Sequence, residues 1–182
     1  AAYVFAEVKR GTIEELVTAT GTLQPRDFVD VGAQVSGQLR RIHVQVGDSV
    51  KQGDLLAEID ATVLQSRVDA TRAGLRSLRA QLKDREATLS LAQIQLRRQR
   101  NLIGDEATTV EAVQQAEAAL RSAEAQIEQI KAQIEQTESN LRADSANLQY
   151  TRIVAPMGGT VVSISARQGQ TLNANQQAPT LM

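Results

Sequence analysis

The chain has 182 residues, a formal net charge of −1 and 23% charged residues. It is long enough for one or two domains with a real core, and it carries no global basic charge of the kind that serves nucleic-acid binding. Only 2% of its residues are aromatic, with no Trp and a single His, which argues against base-stacking platforms and aromatic cages. The absence of Cys excludes disulfides, thiolate metal sites and cysteine catalysis.

No apolar run reaches the roughly 18 residues of a membrane span, and the start, Ala1-Ala2-Tyr3-Val4-Phe5-Ala6-Glu7, lacks the basic-then-apolar layout of a signal peptide. Residues 1–28 are expected to be a leading, extended segment. Residues 31–59 are rich in Val, Ile and Gly, with apolar residues at Leu39, Ile42, Val44 and Val46 and turn signals at Gly47-Asp48 and Gly53-Asp54. This pattern predicts short strands. From 61 to 148 there is no Pro and little Gly, and Ala, Leu, Gln, Arg and Glu dominate, the composition of long helices. Strand text returns after Tyr150, opened by Ala155-Pro156-Met157-Gly158-Gly159 and continued by Val161-Val162-Ser163-Ile164.

The two strand-rich pieces are a degenerate repeat of each other. Ala33 aligns with Ala155, Gly37 with Gly159, Leu39 with Val161, Ile42 with Ile164, Gly47 with Gly169 and Val50 with Leu172. Glycines at equal spacing mark turns or close approaches that only Gly accommodates. The expected arrangement is two half-sandwiches, neither able to bury its apolar face alone, closing on each other.

The intervening segment follows a 3-4 spacing through Ala61, Leu64, Val68, Thr71, Leu75, Leu78, Leu82, Arg85, Leu89, Ala92, Leu96, Gln99 and Ile103. The spacing resumes through Val113, Ala116, Leu120, Ala123, Ile127, Ile130, Ile134, Thr137, Leu141, Asp144 and Leu148. Both are coiled-coil seams. Gly104-Asp105-Glu106-Ala107 interrupts them, and Thr108 with Glu111 fits a capping box that restarts a helix. The chain is therefore expected to turn back on itself near 104–108. A basic excess on the first helix (Arg67, Arg72, Arg76, Arg79, Lys83, Arg97, Arg98, Arg100) faces an acidic excess on the second (Glu111, Glu117, Glu124, Glu128, Glu135, Glu138), which favours antiparallel pairing. Each helix of roughly 40 residues spans on the order of 60 Å.

Nothing in the pattern of titratable residues marks an enzyme. His43 lies between Ile42 and Val44 and is expected to face solvent, with no partner identifiable from the sequence. No H-E-x-x-H, G-x-S-x-G, phosphate-loop or EF-hand pattern occurs. No cofactor is expected. The two β halves around Gly47-Asp48 to Leu55-Leu56 resemble biotinyl and lipoyl carrier domains, but the modified Lys would fall near Thr62 or Val63, neither of which can be acylated. The carrier function is rejected and the fold retained.

A lipoyl-like domain split by a helical hairpin resembles the periplasmic adaptor proteins, the membrane fusion proteins of the HlyD family. The stretches that carry the likeness are Val31-Gly32-Ala33-Gln34-Val35-Ser36-Gly37-Gln38-Leu39, Gly47-Asp48 through Ile59-Asp60, and Leu148-Gln149-Tyr150-Thr151-Arg152-Ile153-Val154-Ala155-Pro156-Met157-Gly158-Gly159. The last of these is the most specific. Val8-Lys9-Arg10-Gly11 and Ala19-Thr20-Gly21-Thr22-Leu23 resemble the segment that precedes the first lipoyl half. Gly32-Ala33-Gln34-Val35-Ser36-Gly37 and Gln176-Gln177-Ala178-Pro179, with the long hairpin, look most like the MacA type.

The resemblance implies an α+β fold with an antiparallel helical hairpin inserted between two halves of a lipoyl/biotinyl-like β-sandwich. The expected units are 1–28 as a remnant of the barrel and membrane-proximal region, 29–60 and 149–182 as lipoyl halves, and 61–148 as the hairpin. It implies a periplasmic subunit anchored at the inner membrane, hexameric, bridging an ABC transporter of the MacB kind to a TolC-like outer-membrane channel for export of drugs, siderophores or similar solutes. An adaptor for a proton-driven (RND) pump or a type I secretion system, and a chaperone-like coiled-coil protein, are the alternatives. The family's Arg, Leu and Ser pattern for docking the channel is matched by Arg98 and Leu102, with Thr109 where the Ser is expected. The competing readings are that Thr109 or Thr108 only caps the helix and that Leu102 is the last knob of the seam. A Gln ring that narrows the central channel is matched by Gln176 among Asn173, Asn175 and Gln177; a plain polar surface loop is the alternative. The bulk of the domains that follow the second lipoyl half in the family is expected to be missing.

Overall fold

The computed structural model describes residues 2–21 and 28–174. The elements run β1 (Gly37–Ile42), β2 (Ser49–Val50), β3 (Leu55–Ile59), α1 (Thr62–Gly104), α2 (Val110–Gln149), β4 (Arg152–Val154), β5 (Gly159–Thr160) and β6 (Thr171–Leu172). Residues 2–21 carry no helix or strand and are exposed throughout.

Strands from before and after the helices pair with one another. A four-stranded sheet has the order β4-β3-β1-β6, and β2 pairs with β5 in a separate two-stranded ladder. The registers obey the repeat read from the sequence: Gly37 faces Leu172 in the β1–β6 pair, and its counterpart Gly159 faces Val50 in the β5–β2 pair. Beyond the strands the match continues bond for bond. Gly47 N–H donates to the Val161 carbonyl at 2.8 Å, and Gly169 N–H to the Leu39 carbonyl at 2.8 Å. Both glycines sit in the left-handed region, φ 98° and 87°, where a Cβ would be strained.

One detail resolves an irregularity of the hydrophobic pattern. Leu39 and Ile42 are an odd number of residues apart, which in a regular strand sends them to opposite faces. A register shift between Leu39 and Arg41 against β3 allows both to face inward: Leu39 is fully buried and Ile42 packs on the same cluster. The core unites both halves, with Leu39, Val50, Leu56, Ala57 and Ile59 packed on Ile153, Ala155, Val161, Ala166 and Leu172. Val46, included in the strand pattern, is instead 61% exposed; it lies after the end of β1 and directly before the left-handed Gly47 that turns the chain into β2.

The seam positions are buried or half-buried on both helices with one exception, Arg85. Its guanidinium leaves the interface edge and donates to Gln126 Oε1 across it at 3.1 Å. The helices run antiparallel, as cross-helix bonds Arg67–Asp144 (2.9 Å), Arg79–Glu138 (2.8 Å) and Arg100–Glu117 (2.8 Å) require. The charge asymmetry of the two helices is thus partly neutralised within the chain.

Entry and exit of the helical pair are adjacent. β3 and β4 pair antiparallel, and Ile59 N–H donates to the Thr151 carbonyl at 2.8 Å. At the entry, Asp60 accepts from the Thr62 hydroxyl (2.7 Å) and the Thr62 N–H (2.9 Å). Those two bonds, and Arg40 at longer range, hold the Asp60 carboxyl below the usual carboxylate range despite a small opposing desolvation.

Candidate functional site: the turn between the helices

The turn lies at the far end of the helical pair from the sheet. Helix α1 closes in a Schellman arrangement: Ala107 N–H donates to the Leu102 carbonyl (2.9 Å) and Glu106 N–H to the Ile103 carbonyl (3.2 Å). The left-handed residue that this motif requires is Glu106, at φ 56°. Gly104, the sequence's apparent stop signal, is still helical. A non-glycine residue there costs on the order of 1 kcal/mol.

The expected capping box built on Thr108 and Glu111 is not formed. Thr109 is the N-cap of α2, its Oγ1 accepting from Ala112 N–H at 3.2 Å. Thr108 instead donates its hydroxyl to Gln99 Oε1 at 2.8 Å, tying the turn back onto α1. The hydroxyl is diverted because Gln99, a seam residue, would otherwise hold an amide oxygen half-buried without a donor.

The residues singled out for docking fall at this end as follows. Arg98 and Leu102 are one helical turn apart on α1 and share a face. Arg98 is exposed, and its side chain makes no hydrogen bond or ion pair with any described residue. Leu102 is half-buried and lies where α1 ends. Thr109 is exposed on the opposite side of the turn, its oxygen engaged as a cap while its O–H remains able to donate. Gln176, with Asn175 and Gln177, lies outside the described residues. Asn173 is held against the first strand region, accepting from the Ser36 hydroxyl at 3.3 Å.

Two groups escaped the sequence reading. Asp144, recognised only as a seam position, is 7% exposed and is satisfied from α1 by Arg67 (2.9 Å) and the Thr71 hydroxyl (2.8 Å). Polar residues at two seam positions, Thr71 and Asp144, were the available signal. His43 faces outward as expected, but it has a partner on β3, with Nε2 at 3.5 Å from Glu58 Oε2. The antiparallel β1–β3 register creates that contact, and no local spacing foretells it. Among the described residues no group of His, Cys, Asp and Glu is placed to hold a metal ion, and no helix is long and apolar enough to cross a membrane.

Residues 27–182 match the family model described as the barrel-sandwich hybrid domain of RND membrane fusion proteins. The chain is 61% identical over 175 residues to the pyoverdine export membrane fusion protein PvdR of Pseudomonas putida, covering 96% of this chain and 45% of that protein. It is 42% identical over 175 residues to the macrolide export protein MacA of Escherichia coli O157:H7, covering 96% and 47% respectively. Among solved structures it is similar to MacA from Actinobacillus actinomycetemcomitans, with a TM-score of 0.81 and 39% identity over 86% of this chain and 48% of that one. The chain thus spans about half the length of the curated relatives it matches.

Proposed function

The chain belongs to the RND membrane fusion protein family, and from that membership we propose that it is the hairpin-bearing part of a periplasmic adaptor in a tripartite efflux pump. The adaptor links an inner-membrane ABC transporter of the MacB type to a TolC-like outer-membrane channel and serves export of a siderophore or drug-like solute. The names of the relatives, pyoverdine export and macrolide export proteins, support the solute class. In this reading residues 29–60 and 149–182 are the lipoyl-like halves, 61–148 is the inserted hairpin, and 1–28 leads in from the barrel and membrane-proximal region. Six copies form a ring in the periplasm, tethered to the inner membrane.

The observation that carries the reading is mechanical. Helices of 43 and 40 residues, about 60 Å long, are clamped at one end by strands drawn from both sides of the insertion. Such an element transmits position and reaches a distant partner; it has no need of chemistry of its own. At its far end Arg98 is uncommitted within the described chain and Leu102 is partly available, so a cation and an apolar knob stand one turn apart for a channel to receive. Thr109 supplies a donor hydroxyl alongside its capping duty. Gln176 is assigned to a ring of amides around the channel axis, where neutral side chains can hydrogen-bond to one another and part for a solute.

These 182 residues contain no Cys, so any background thiol in the cross-linking experiment would come from outside them and is replaced first. In the full-length adaptor, single cysteines beside the turn should cross-link to cysteines at the channel's periplasmic end, and Arg98→Asp with Leu102→Asp should abolish both cross-linking and export while the protein stays folded. Unchanged export and cross-linking in a folded double variant would refute the docking role. Co-purification of the full-length protein with its pump decides between an ABC and a proton-driven transporter.

A further inference from the structure

Each long helix carries a second regular face, on the side turned away from its partner. On α1 it runs through Ala80, Ala87 and Ile94, and on α2 through Ala118, Ala125 and Ala132, at the seven-residue spacing of the seam. All six residues are exposed, and Leu91 beside Ile94 is 56% exposed.

Charge fixes the height at which the back of α1 can meet the back of α2 from another copy. The contacts of Arg67 with Asp144, Arg79 with Glu138, Arg85 with Gln126 and Arg100 with Glu117 establish which residues of the two helices stand level, to within about one helical turn. By that alignment Asp69 stands level with Arg142, Arg76 with Glu135 and Lys83 with Glu128, while Ala80, Ala87 and Ile94 stand level with Ala132, Ala125 and Ala118. The six charged side chains are exposed along one border of the two backs, and within the chain none meets its level counterpart. Asp69 and Glu128 are held only by Arg72 and Lys131 of their own helices (3.3 and 2.9 Å), and Arg142 by the Ser139 hydroxyl (2.8 Å). Arg76, Lys83 and Glu135 have no side-chain partner among the described residues.

The level alignment makes all three pairs opposite in sign. A slide of one heptad either way keeps one opposite pair and creates two like-charged ones: Asp69 with Glu135 and Lys83 with Arg121 in one direction, Arg76 with Arg142 and Arg97 with Arg121 in the other. Two α1 backs side by side would set Arg76 and Lys83 against their own kind. Like-charge juxtaposition of this sort excludes wrong registers and partners.

We infer that the back of α1 in one copy docks on the back of α2 in the next, without stagger, registered by Asp69–Arg142, Arg76–Glu135 and Lys83–Glu128. The contact is heterologous, so it repeats from copy to copy and closes as a ring about an axis along the helical pairs. It rests on the ring proposed above and assigns that ring a surface and a register. Ion pairs at such a border set partner and register more than they add affinity.

The test uses the full-length adaptor, with thiols outside these residues replaced and Ala80→Cys combined with Ala132→Cys. The two positions lie on opposite sides of the helical pair, so a disulfide between them joins two copies. Oxidation should give a covalent ladder on non-reducing gels, whereas Ala80→Cys with Ala125→Cys, one heptad out of step, should give at most about a fifth as much. Adding Arg76→Glu and Lys83→Glu should cut the ladder about fivefold or more, and adding Glu128→Lys and Glu135→Lys to that variant should restore it to within about twofold. The restoration also excludes misfolding as the cause of the loss. Absence of a ladder, equal ladders from the two cysteine pairs, as much cross-linking from Ala80→Cys alone, or no restoration by the second charge swap would overturn this contact; rings that persist by native mass spectrometry would then leave the ring itself standing. A monomeric full-length protein would overturn the ring and the contact together.

Discussion

The tightest close approach in the sheet gives the most discriminating test of the fold. A Cβ built on Gly37 would lie 2.5 Å from Ile59 Cγ2, whereas carbon atoms rest about 3.5–4.0 Å apart. The overlap is therefore about 1 Å or more, and Ile59, 2% exposed within the common core, has nowhere to retract. Gly37 itself is pinned by pairing with Leu172. Gly37→Ala should cost about 1–3 kcal/mol, the range for one extra methyl in a packed core. For a chain of this size that corresponds to roughly 2–12 °C in the melting of the β region. That melting should be followed through core-residue NMR signals, because helical circular dichroism reports the long helices instead. The partner can be tested directly. Ile59→Ala alone should cost about 2–5 kcal/mol, but combined with Gly37→Ala the total should fall short of the sum by at least about 1 kcal/mol, since the clashing methyl has gone. Ile59→Val keeps a methyl at the Cγ2 position and should show no such rescue. A cost below about 0.5 kcal/mol for Gly37→Ala, or the same coupling with Val as with Ala, would refute the packing argument.

In the helical pair, Asp144→Ala should destabilise by about 1–3 kcal/mol by stripping Thr71 and Arg67 of their acceptor, while Asp144→Leu combined with Thr71→Val, which removes the buried donor and acceptor together, should fall within about 1 kcal/mol of wild type or exceed it; urea melts of both variants decide. Glu106→Gly should raise helical-pair stability by about 0.5–1 kcal/mol, by relieving the left-handed residue, and a neutral or negative effect in thermal melts would mean that the Glu106 side chain contributes to closure. Leu75→Ala should cost about 2–5 kcal/mol, and Leu82→Ala clearly less because Leu82 is only half-buried, as parallel urea melts would show. The Asp60 carboxyl should titrate below its ordinary value by NMR, and Thr62→Val should move its midpoint upward. Because the folded-state value is depressed, the associated stability is fully present above pH 4 or so and is lost as pH falls through the depressed midpoint.

The heptad seams were legible because burial in a two-helix interface follows periodicity; Arg85 departs from it because its charged end leaves the interface edge for Gln126. The repeat was legible for a similar reason: equal glycine spacing recorded equal turns, down to the paired hydrogen bonds of Gly47 and Gly169. What escaped was chemistry that depends on a partner distant in the chain. Thr108 and Thr109 are equally good caps by composition, and only the nearness of Gln99 decides between them. Glu106 takes the left-handed position because Leu102 and Ile103 offer their carbonyls there, a geometry that Gly104 two residues earlier seemed to announce. Contacts of His43 with Glu58, and of Asp144 with Arg67 and Thr71, needed strand register and helix phase before they could be seen. The docking residues were readable by resemblance alone; Arg98 and Thr109 are exposed at this end of the helical pair and Leu102 is half-buried there.

The adjacency of β3 and β4 at the foot of the helices has an evolutionary corollary. Since the chain leaves and re-enters the sheet at neighbouring strands, the insertion can grow or shrink without disturbing the strand pairings beneath it. The seam repeats every seven residues, so adding or deleting one heptad from each helix would move the apex by about 10.5 Å and leave its heading nearly unchanged. In the adaptor role proposed above, such a rod would be a graduated ruler, adjustable in whole steps to envelopes of different depth.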